Sequence, residues 1–131
     1  QVCASCHPKS TTVWENSRHA RAFATLEKLG KNFDPECLEC HVVGFNPWVA
    51  SKNASEAITK FEGKRGFLSL DLTHHLTNVQ CENCHGPALD HLANNKIKPA
   101  EQNPASVCVE CHHGSHSPLF EFKKYWQKIK H

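Results

Sequence analysis

The chain has 131 residues and a formal net charge of +2, and it contains 8 Cys, 11 His and no Met. Basic and acidic side chains nearly balance, which argues against a nucleic-acid-binding or membrane-surface protein, and no apolar run is long enough for a transmembrane helix. Only 39% of the residues are hydrophobic, a small supply for the core of a domain this size. We therefore predict a single domain over residues 1–131 whose centre is filled by something besides side chains.

The first predicted element is a helix from about residue 10 to residue 29. The run Ser10–Thr12 offers its amino-terminal cap and Gly30 its stop. On this helix His19 lies three and seven positions before Ala22 and Leu26, so the histidine shares the apolar face.

Three shorter helices follow in the prediction. One covers residues 55–62, one starts after Gly86 and carries His91, and the last runs from 117 to His131. Segments 44–51 and 96–106 are predicted as loops, and the valine runs 42–43 and 107–109 are too short for strands. The predicted fold class is mostly α, with extensive irregular loops and little or no sheet.

The eight cysteines form four Cys-x-x-Cys pairs, and a histidine follows each pair at once. The attachment signature of c-type haem is C-x-x-C-H: two thiols add across the vinyl groups, and the imidazole binds the iron. We therefore predict four haem c groups that fill the core of one tetrahaem domain. The predicted attachment residues are Cys3, Cys6, Cys37, Cys40, Cys81, Cys84, Cys108 and Cys111, and the proximal iron ligands are His7, His41, His85 and His112.

Other uses of paired cysteines explain less of this pattern. Two four-thiolate zinc sites would consume all eight thiols, and redox-active pairs or structural disulfides are further options. None of them accounts for the histidine that follows every pair, so haem attachment is the favoured interpretation.

The absence of Met leaves histidine as the expected sixth ligand of each iron. Seven histidines lie outside the motifs, enough for four bis-His haems at low potential. No Ser-His-Asp pattern, phosphate loop or acid pair stands out, so the prediction is an electron-transfer protein with no catalytic residues. The seven candidates are His19, His74, His75, His91, His113, His116 and His131.

Four stretches, Cys3–His7, Trp14–Ala22, Cys37–Phe45 and Val79–His91, resemble the cytochrome c-554 family, tetrahaem cytochromes of nitrifying bacteria. The founder of that family receives electrons from hydroxylamine oxidoreductase. A weaker match covers the tail, residues 120–131. The resemblance implies a distal ligand for three of the four haems: His91 for the first, His19 for the third and His131 for the fourth.

The second haem is where this sequence departs from the family. The nitrifier protein has no sixth ligand there, whereas this chain offers His74 or His75, favoured, and His116. An open second haem would instead suit an enzyme acting on a small nitrogen or sulfur species. His113, beside a proximal ligand, is expected to be spare.

The architecture is also similar to that of OmcE-type extracellular cytochrome nanowires, in which a histidine of one subunit ligates a haem of the next. This resemblance implies a head-to-tail homo-oligomeric filament whose partners are redox proteins or extracellular electron acceptors. A soluble periplasmic tetrahaem carrier is the alternative. Because haem c is attached outside the cytoplasm, we expect an exported protein, extracellular or periplasmic. No signal peptide is visible in the sequence, so we expect Gln1 to be a mature or trimmed end.

Overall fold

A computed structural model describes residues 2–45, 66–99 and 101–131, and this part of the chain is mostly helical. Its α-helices, numbered in chain order, are α1 (Pro8–Glu15), α2 (Ala22–Leu29), α3 (Pro35–His41), α4 (Leu70–Thr73), α5 (Cys81–His85), α6 (Leu89–Ala93), α7 (Pro104–Cys111) and α8 (Phe122–Trp126). The 3-10 helices are Val2–Ser5, His19–Arg21, His74–Leu76 and Gly114–His116. The extended residues of this part pair only at an isolated antiparallel bridge between Val42 and Thr77. The predicted fold class is confirmed.

The chain divides into two compact units. The three-motif unit consists of Gln1–Arg18 and Cys81–His131, and the one-motif unit consists of His19–Gln80. The former contains α1 and α5 to α8, and the latter contains α2, α3 and α4. A single domain over the whole chain stays a prediction. Within the described ranges, no helix combines the length and the apolar character needed to cross a membrane.

The predicted long first helix is wrong, because the structure breaks it between α1 and α2. At the end of α1, the side chains of Asn16 and Ser17 donate hydrogen bonds to the carbonyls of Thr12 and Trp14, at 2.8 and 2.6 Å. Such local side-chain bonds compete with the helical backbone pattern and favour its end. The stop at Gly30 is confirmed: this residue is left-handed, with φ 64°, as a helix end of this kind requires.

Two later helices are shorter than predicted. Helix α6 starts at Leu89 rather than just after Gly86, and it still carries His91. At the tail, only α8 is helical, and Glu121 before it is extended at φ −134° and ψ 112°. The segment before α8 turns instead, with the Phe120 amide donating to the Ser117 carbonyl at 3.0 Å.

The remaining predictions have mixed outcomes. The predicted helix 55–62 and residues 46–51 of the first predicted loop lie outside the described residues. The second predicted loop ends early, because α7 begins at Pro104, and the valines 107–109 are helical. Asn103 starts that helix: its side chain accepts a hydrogen bond from the Ala105 amide at 3.0 Å.

The one-motif unit has a small apolar core. Phe23 and Leu26 of α2 pack against Leu38 of α3, with Val42 and Phe67 completing the cluster. Each of these side chains is at most 6% exposed. Burial of such side chains stabilises a fold by about 1.5–3 kcal/mol each.

Backbone contacts tie the ends of this unit to its core. The Val43 amide donates to the Leu76 carbonyl, and the Phe67 amide donates to the Val43 carbonyl, both at 2.8 Å. Beside them, Gly44 and Gly66 approach so closely that a Cβ on Gly66 would clash with the Gly44 carbonyl oxygen. Glycine is therefore required at position 66 for this path of the chain.

The three-motif unit lacks such a core among its described residues. Its one buried residue is Thr11, 8% exposed, whose hydroxyl donates to the His7 carbonyl at 2.9 Å. Several large apolar side chains of this unit are instead on its surface: Val2, Leu89, Leu92, Ile97, Val109 and Leu119. The two units thus differ sharply in how much apolar surface the protein itself buries.

Candidate haem sites

Each Cys-x-x-Cys-His motif folds as a single helical turn. The second motif ends α3, and the third is α5 itself. In the first and fourth, the histidine amide donates to the carbonyl of the first cysteine, at 2.8 Å in both His7 and His112. A turn of this kind places positions i, i+3 and i+4 on one face. Both thiols and the imidazole of each motif therefore face the same side.

Caps fix where two of these motif helices start. The Asp34 carboxylate accepts a hydrogen bond from the Glu36 amide at 3.1 Å, and Asn103 plays the same part before α7. In both helices proline follows the cap, where its missing N–H costs nothing. Sequence-local chemistry therefore holds the second and fourth motifs in helical form.

No two of the eight cysteines form a disulfide, and in the three-motif unit thiols of different motifs lie close together. Burial, together with the nearby Cys3 thiol and its hydrogen bond, raises the pKa of Cys81. Burial and the proximity of Cys108 likewise raise the pKa of Cys84. Motif 3 thus lies beside motifs 1 and 4 within this unit.

The thiols do not gather into a metal cluster. In the described part of the chain, which contains every Cys and His, no three metal-ligating side chains are placed to share an ion. A four-thiolate zinc site needs four such groups around one centre. The geometry therefore does not support the zinc alternative.

His7 and His91, both in the three-motif unit, lie next to each other with ring centroids 6.1 Å apart and ring planes tilted by 34°. His91 donates from Nδ1 to the Ile97 carbonyl at 2.7 Å. This bond fixes the tautomer, so Nε2 carries the free lone pair that a metal needs.

The separation of the two rings suits two axial ligands of one iron. An imidazole nitrogen lies about 2 Å from a first-row metal and about 1 Å from its own ring centre, so ligands on opposite sides have centroids about 6 Å apart. The observed 6.1 Å agrees with that value. The resemblance-based pairing of His91 with the first motif has this contact in its favour.

A second histidine pair joins the tail of the chain to the third motif. His131 lies against His85 of the third motif, with ring centroids 5.7 Å apart. Its Nδ1 donates to the Ile129 carbonyl at 2.9 Å, which again leaves Nε2 for a metal. The resemblance assigned His131 to the fourth haem and His19 to the third; both assignments stay predictions, and in the structure the His131 ring contacts His85 of the third motif.

Burial, and then the neighbouring His131 and His7 rings, lower the pKa of His85. A lowered pKa keeps the imidazole neutral, the form in which it binds a metal.

In the one-motif unit, the proximal candidate His41 donates from Nδ1 to the Ala22 carbonyl at 2.7 Å. Three further histidines belong to the same unit. His74 and His75 are exposed and meet edge to face with ring centroids 5.9 Å apart, and the His19 carbonyl accepts from the Val79 amide at 3.2 Å. Every candidate for a sixth ligand within this unit is one of these three.

The fourth motif has surroundings that the sequence interpretation missed. Ser117 Oγ lies 3.0 Å from His112 Nδ1, Phe120 stacks on the imidazole at 4.9 Å, and Tyr125 meets its edge at 5.3 Å. Burial lowers the pKa of His112. The signal that could have revealed this cluster is the pair of aromatic residues eight and thirteen positions after the proximal histidine.

The two remaining histidines lie beside this cluster in sequence. His113 and His116 are exposed and contact each other with centroids 5.6 Å apart. His113 was expected to be spare, and His116 was an alternative ligand for the second haem.

Comparison with known proteins identifies the family. The family described as "Cytochrome c554 and c-prime" matches residues 2–86, well over half of the chain and three of its four motifs. The chain belongs to the cytochrome c554 family. It is therefore a c-type cytochrome, a protein with covalently attached haem c. Because haem c is attached outside the cytoplasm, family membership also makes it an exported protein.

Among curated relatives, the cytochrome is similar to cytochrome c-554 of Nitrosomonas europaea. The two are 29% identical over 101 residues, which cover 65% of this chain and 36% of the relative. The chain therefore spans only about a third of that protein's length. No solved structure matches it.

The residues of this cytochrome fit the haem c that its family implies. Two cysteines and a histidine share one face of each motif turn, and two histidines outside the motifs lie near motif histidines, with ring centroids 6.1 and 5.7 Å apart. The large apolar side chains exposed on the three-motif unit supply the surface that a porphyrin face contacts. The donor set and its apolar surroundings thus agree with the family assignment.

Proposed function

We propose that this cytochrome carries four haem c groups and passes single electrons among them, without making or breaking bonds in a substrate. The support is that all four motifs have the same residues on the same face of one helical turn. Each iron would take its proximal ligand from His7, His41, His85 or His112. The protein would supply tethering, ligation and a low-dielectric surrounding, while the haem supplies the reversible one-electron couple.

We further propose that the haems are mainly bis-His. The observation that carries this proposal is the proximity of the His7 and His91 rings at 6.1 Å, with Nδ1 of His91 tied to a carbonyl. The contact of His85 with His131 supports a second such pair, at the third haem. Ligation by two imidazoles and no Met favours low potentials, which suit electron transfer.

The sixth ligands of the second and fourth haems come from the remaining histidines. For the second haem we favour His74 or His75, because both lie in the same unit as its proximal ligand, His41. His116 is the other candidate for that position. His19, which the resemblance gave to the third haem, lies in the same unit as His41 and is a further candidate for the second haem.

The test combines haem counting with spectroscopy of single variants. The intact mass and the haem content of the native protein should both give four haems per chain. Replacement of His91 by Ala should convert one haem to high spin, and His131→Ala should do the same at the third motif. His113→Ala is the matched control, and it should leave all four haems low-spin.

Two results would overturn these assignments. Four unchanged low-spin haems in His91→Ala would refute the pairing with His7, and a mass of fewer than four haems would refute the tetrahaem proposal. Binding of carbon monoxide or nitric oxide by the native protein would support the alternative, an enzyme with an open second haem.

The finer proposal is that the cytochrome is a subunit of a polymeric extracellular conduit, with redox proteins or extracellular acceptors as partners. Its resemblance to nanowire subunits supports this. Electron microscopy of native material should show filaments. Monodisperse particles at high concentration would favour a soluble periplasmic carrier.

A further inference from the structure

At the fourth motif a side-chain hydroxyl, rather than a backbone carbonyl as at His41, meets Nδ1 of the proximal imidazole. Nδ1 of His112 meets the hydroxyl oxygen of Ser117 at 3.0 Å. If Nε2 of His112 is to bind iron, Nδ1 must carry the proton, so the imidazole donates and Ser117 Oγ accepts.

Three other histidines with a described Nδ1 contact use backbone carbonyls. His41 donates to Ala22, His91 to Ile97 and His131 to Ile129, at 2.7, 2.7 and 2.9 Å. An amide carbonyl is a stronger acceptor than an alcohol. A stronger acceptor makes the imidazole more electron-rich, and this stabilises the ferric state and lowers the reduction potential.

The aromatic side chains around His112 also favour a higher reduction potential at the fourth motif. Phe120 lies nearly parallel to the imidazole at 8°, and Tyr125 meets both rings edge-on, 4.9 Å from Phe120 and 5.3 Å from His112. These aromatic side chains limit the access of water to one side of the imidazole. A less polar setting disfavours the extra positive charge of the oxidised iron, which also raises the potential.

We propose that Ser117 is a positioning residue that sets the haem at the fourth motif to a higher reduction potential than haems whose ligands donate to carbonyls. The fourth haem is then where an electron resides once the protein is partly reduced. This inference rests on the proposed tetrahaem function, because it requires an iron bound by His112. Electrons entering the protein would then flow toward the haem of the fourth motif.

Spectroelectrochemical titration of the holoprotein tests the role of Ser117. In Ser117→Ala the acceptor is lost, and one reduction step should move to higher potential while the other three stay in place. Ser117→Thr keeps the hydroxyl and should restore the native curve. Ser115→Ala, in the adjoining 3-10 turn, is the matched control and should titrate like the native protein.

The outcomes separate this inference from the tetrahaem proposal. If Ser117→Ala holds four haems by mass and its titration curve is unchanged, or moves to lower potential, the role of Ser117 is refuted. If the native protein itself holds fewer than four haems, the tetrahaem proposal fails first. Should Ser117→Ala not accumulate, Ser117→Gly removes the same hydroxyl, and the same upward shift is expected.

Discussion

The two units of this cytochrome reach stability by different means. The one-motif unit, His19–Gln80, buries Phe23, Leu26 and Phe67 at 4% exposure each and Val42 completely. The three-motif unit, in its described residues, buries only Thr11 and exposes Leu119 and Leu89 by more than two thirds. The unit with more haem motifs has less protein core.

This contrast indicates what fills each unit. Burial of a large apolar side chain contributes about 1.5–3 kcal/mol, and small domains depend on such contributions or on bound groups that replace them. A haem offers two broad apolar faces and two covalent tethers. We infer that haem supplies most of the core of the three-motif unit, whereas side chains and haem share that role in the one-motif unit.

The largest expected effect compares the loss of one haem in each unit. Replacing Cys81 and Cys84 by Ala should prevent the three-motif unit from folding, because its described part has no apolar core of its own. Replacing Cys37 and Cys40 by Ala should leave a three-haem protein that still folds. Yield, intact mass and protease resistance measure the difference, and equal yields of the two variants would contradict the inferred contrast.

The next effect concerns the core of the one-motif unit. Phe23→Ala should lower the free energy of unfolding by about 3–5 kcal/mol, because it removes a large buried ring. Phe33, in the same unit and 79% exposed, provides the control, and its replacement by Ala should change stability by less than about 0.5 kcal/mol. Urea denaturation followed by circular dichroism gives both values. If Phe23→Ala and Phe33→Ala lower the free energy of unfolding by similar amounts, buried side chains do not stabilise this unit.

A smaller effect is expected at Asn78. Its side chain accepts a hydrogen bond from the Phe23 amide at 2.9 Å, and its own backbone is left-handed, with φ 73°. Asn78→Ala should cost about 2–3 kcal/mol, because it leaves that amide unpaired and strains the backbone. Asn78→Gly relieves the strain but not the lost bond, so it should cost about 1 kcal/mol less. If Asn78→Ala and Asn78→Gly unfold at the same denaturant midpoint, backbone strain at position 78 does not contribute to the loss of stability.

The smallest effect compares the two helix caps. Asp34→Ala and Asn103→Ala each remove a side-chain acceptor at the start of a motif helix, a change worth about 0.5–2 kcal/mol. Asp34→Asn keeps a cap and controls for the loss of the ion pair that Asp34 makes with Lys31 at 3.0 Å. We expect the loss of stability in Asn103→Ala to lie at the low end of this range, because α7 contains no buried residue. Thermal unfolding of the holoprotein measures both, and a larger loss at Asn103 would contradict this ranking.

Part of the fold and site follows from local sequence. The four motif turns and the helix end at Gly30 depend on residues that are neighbours in the chain, and such signals can be read directly. The start of α7 is also local, at Asn103 and Pro104, but the predicted loop over 96–106 missed it. The long first helix was wrong because its apolar spacing continues through Asn16 and Ser17, whose side chains bond to the preceding carbonyls. The spacing of apolar residues gives no information about such side-chain hydrogen bonds to the backbone.

The distal ligands show the limit of sequence more clearly. Motif spacing identifies His85 as a proximal ligand, but nothing near it in the chain points to His131, 46 positions away. The resemblance gave the tail histidine to a different haem. Ser117 was missed for a related reason: a serine five residues after a motif histidine has no sequence signal until a turn brings it to Nδ1.

The sequence by itself determined the chemistry of this cytochrome: four C-x-x-C-H motifs, no Met and a surplus of histidines in a chain with few hydrophobic residues. Covalent attachment needs its thiols and imidazole within five consecutive residues, so local order is sufficient to encode it. The tertiary structure decided which distant histidines lie next to each other, which groups hold their Nδ1 atoms and which unit has a protein core. Those properties depend on contacts between segments far apart in the chain, and residue order alone does not specify them.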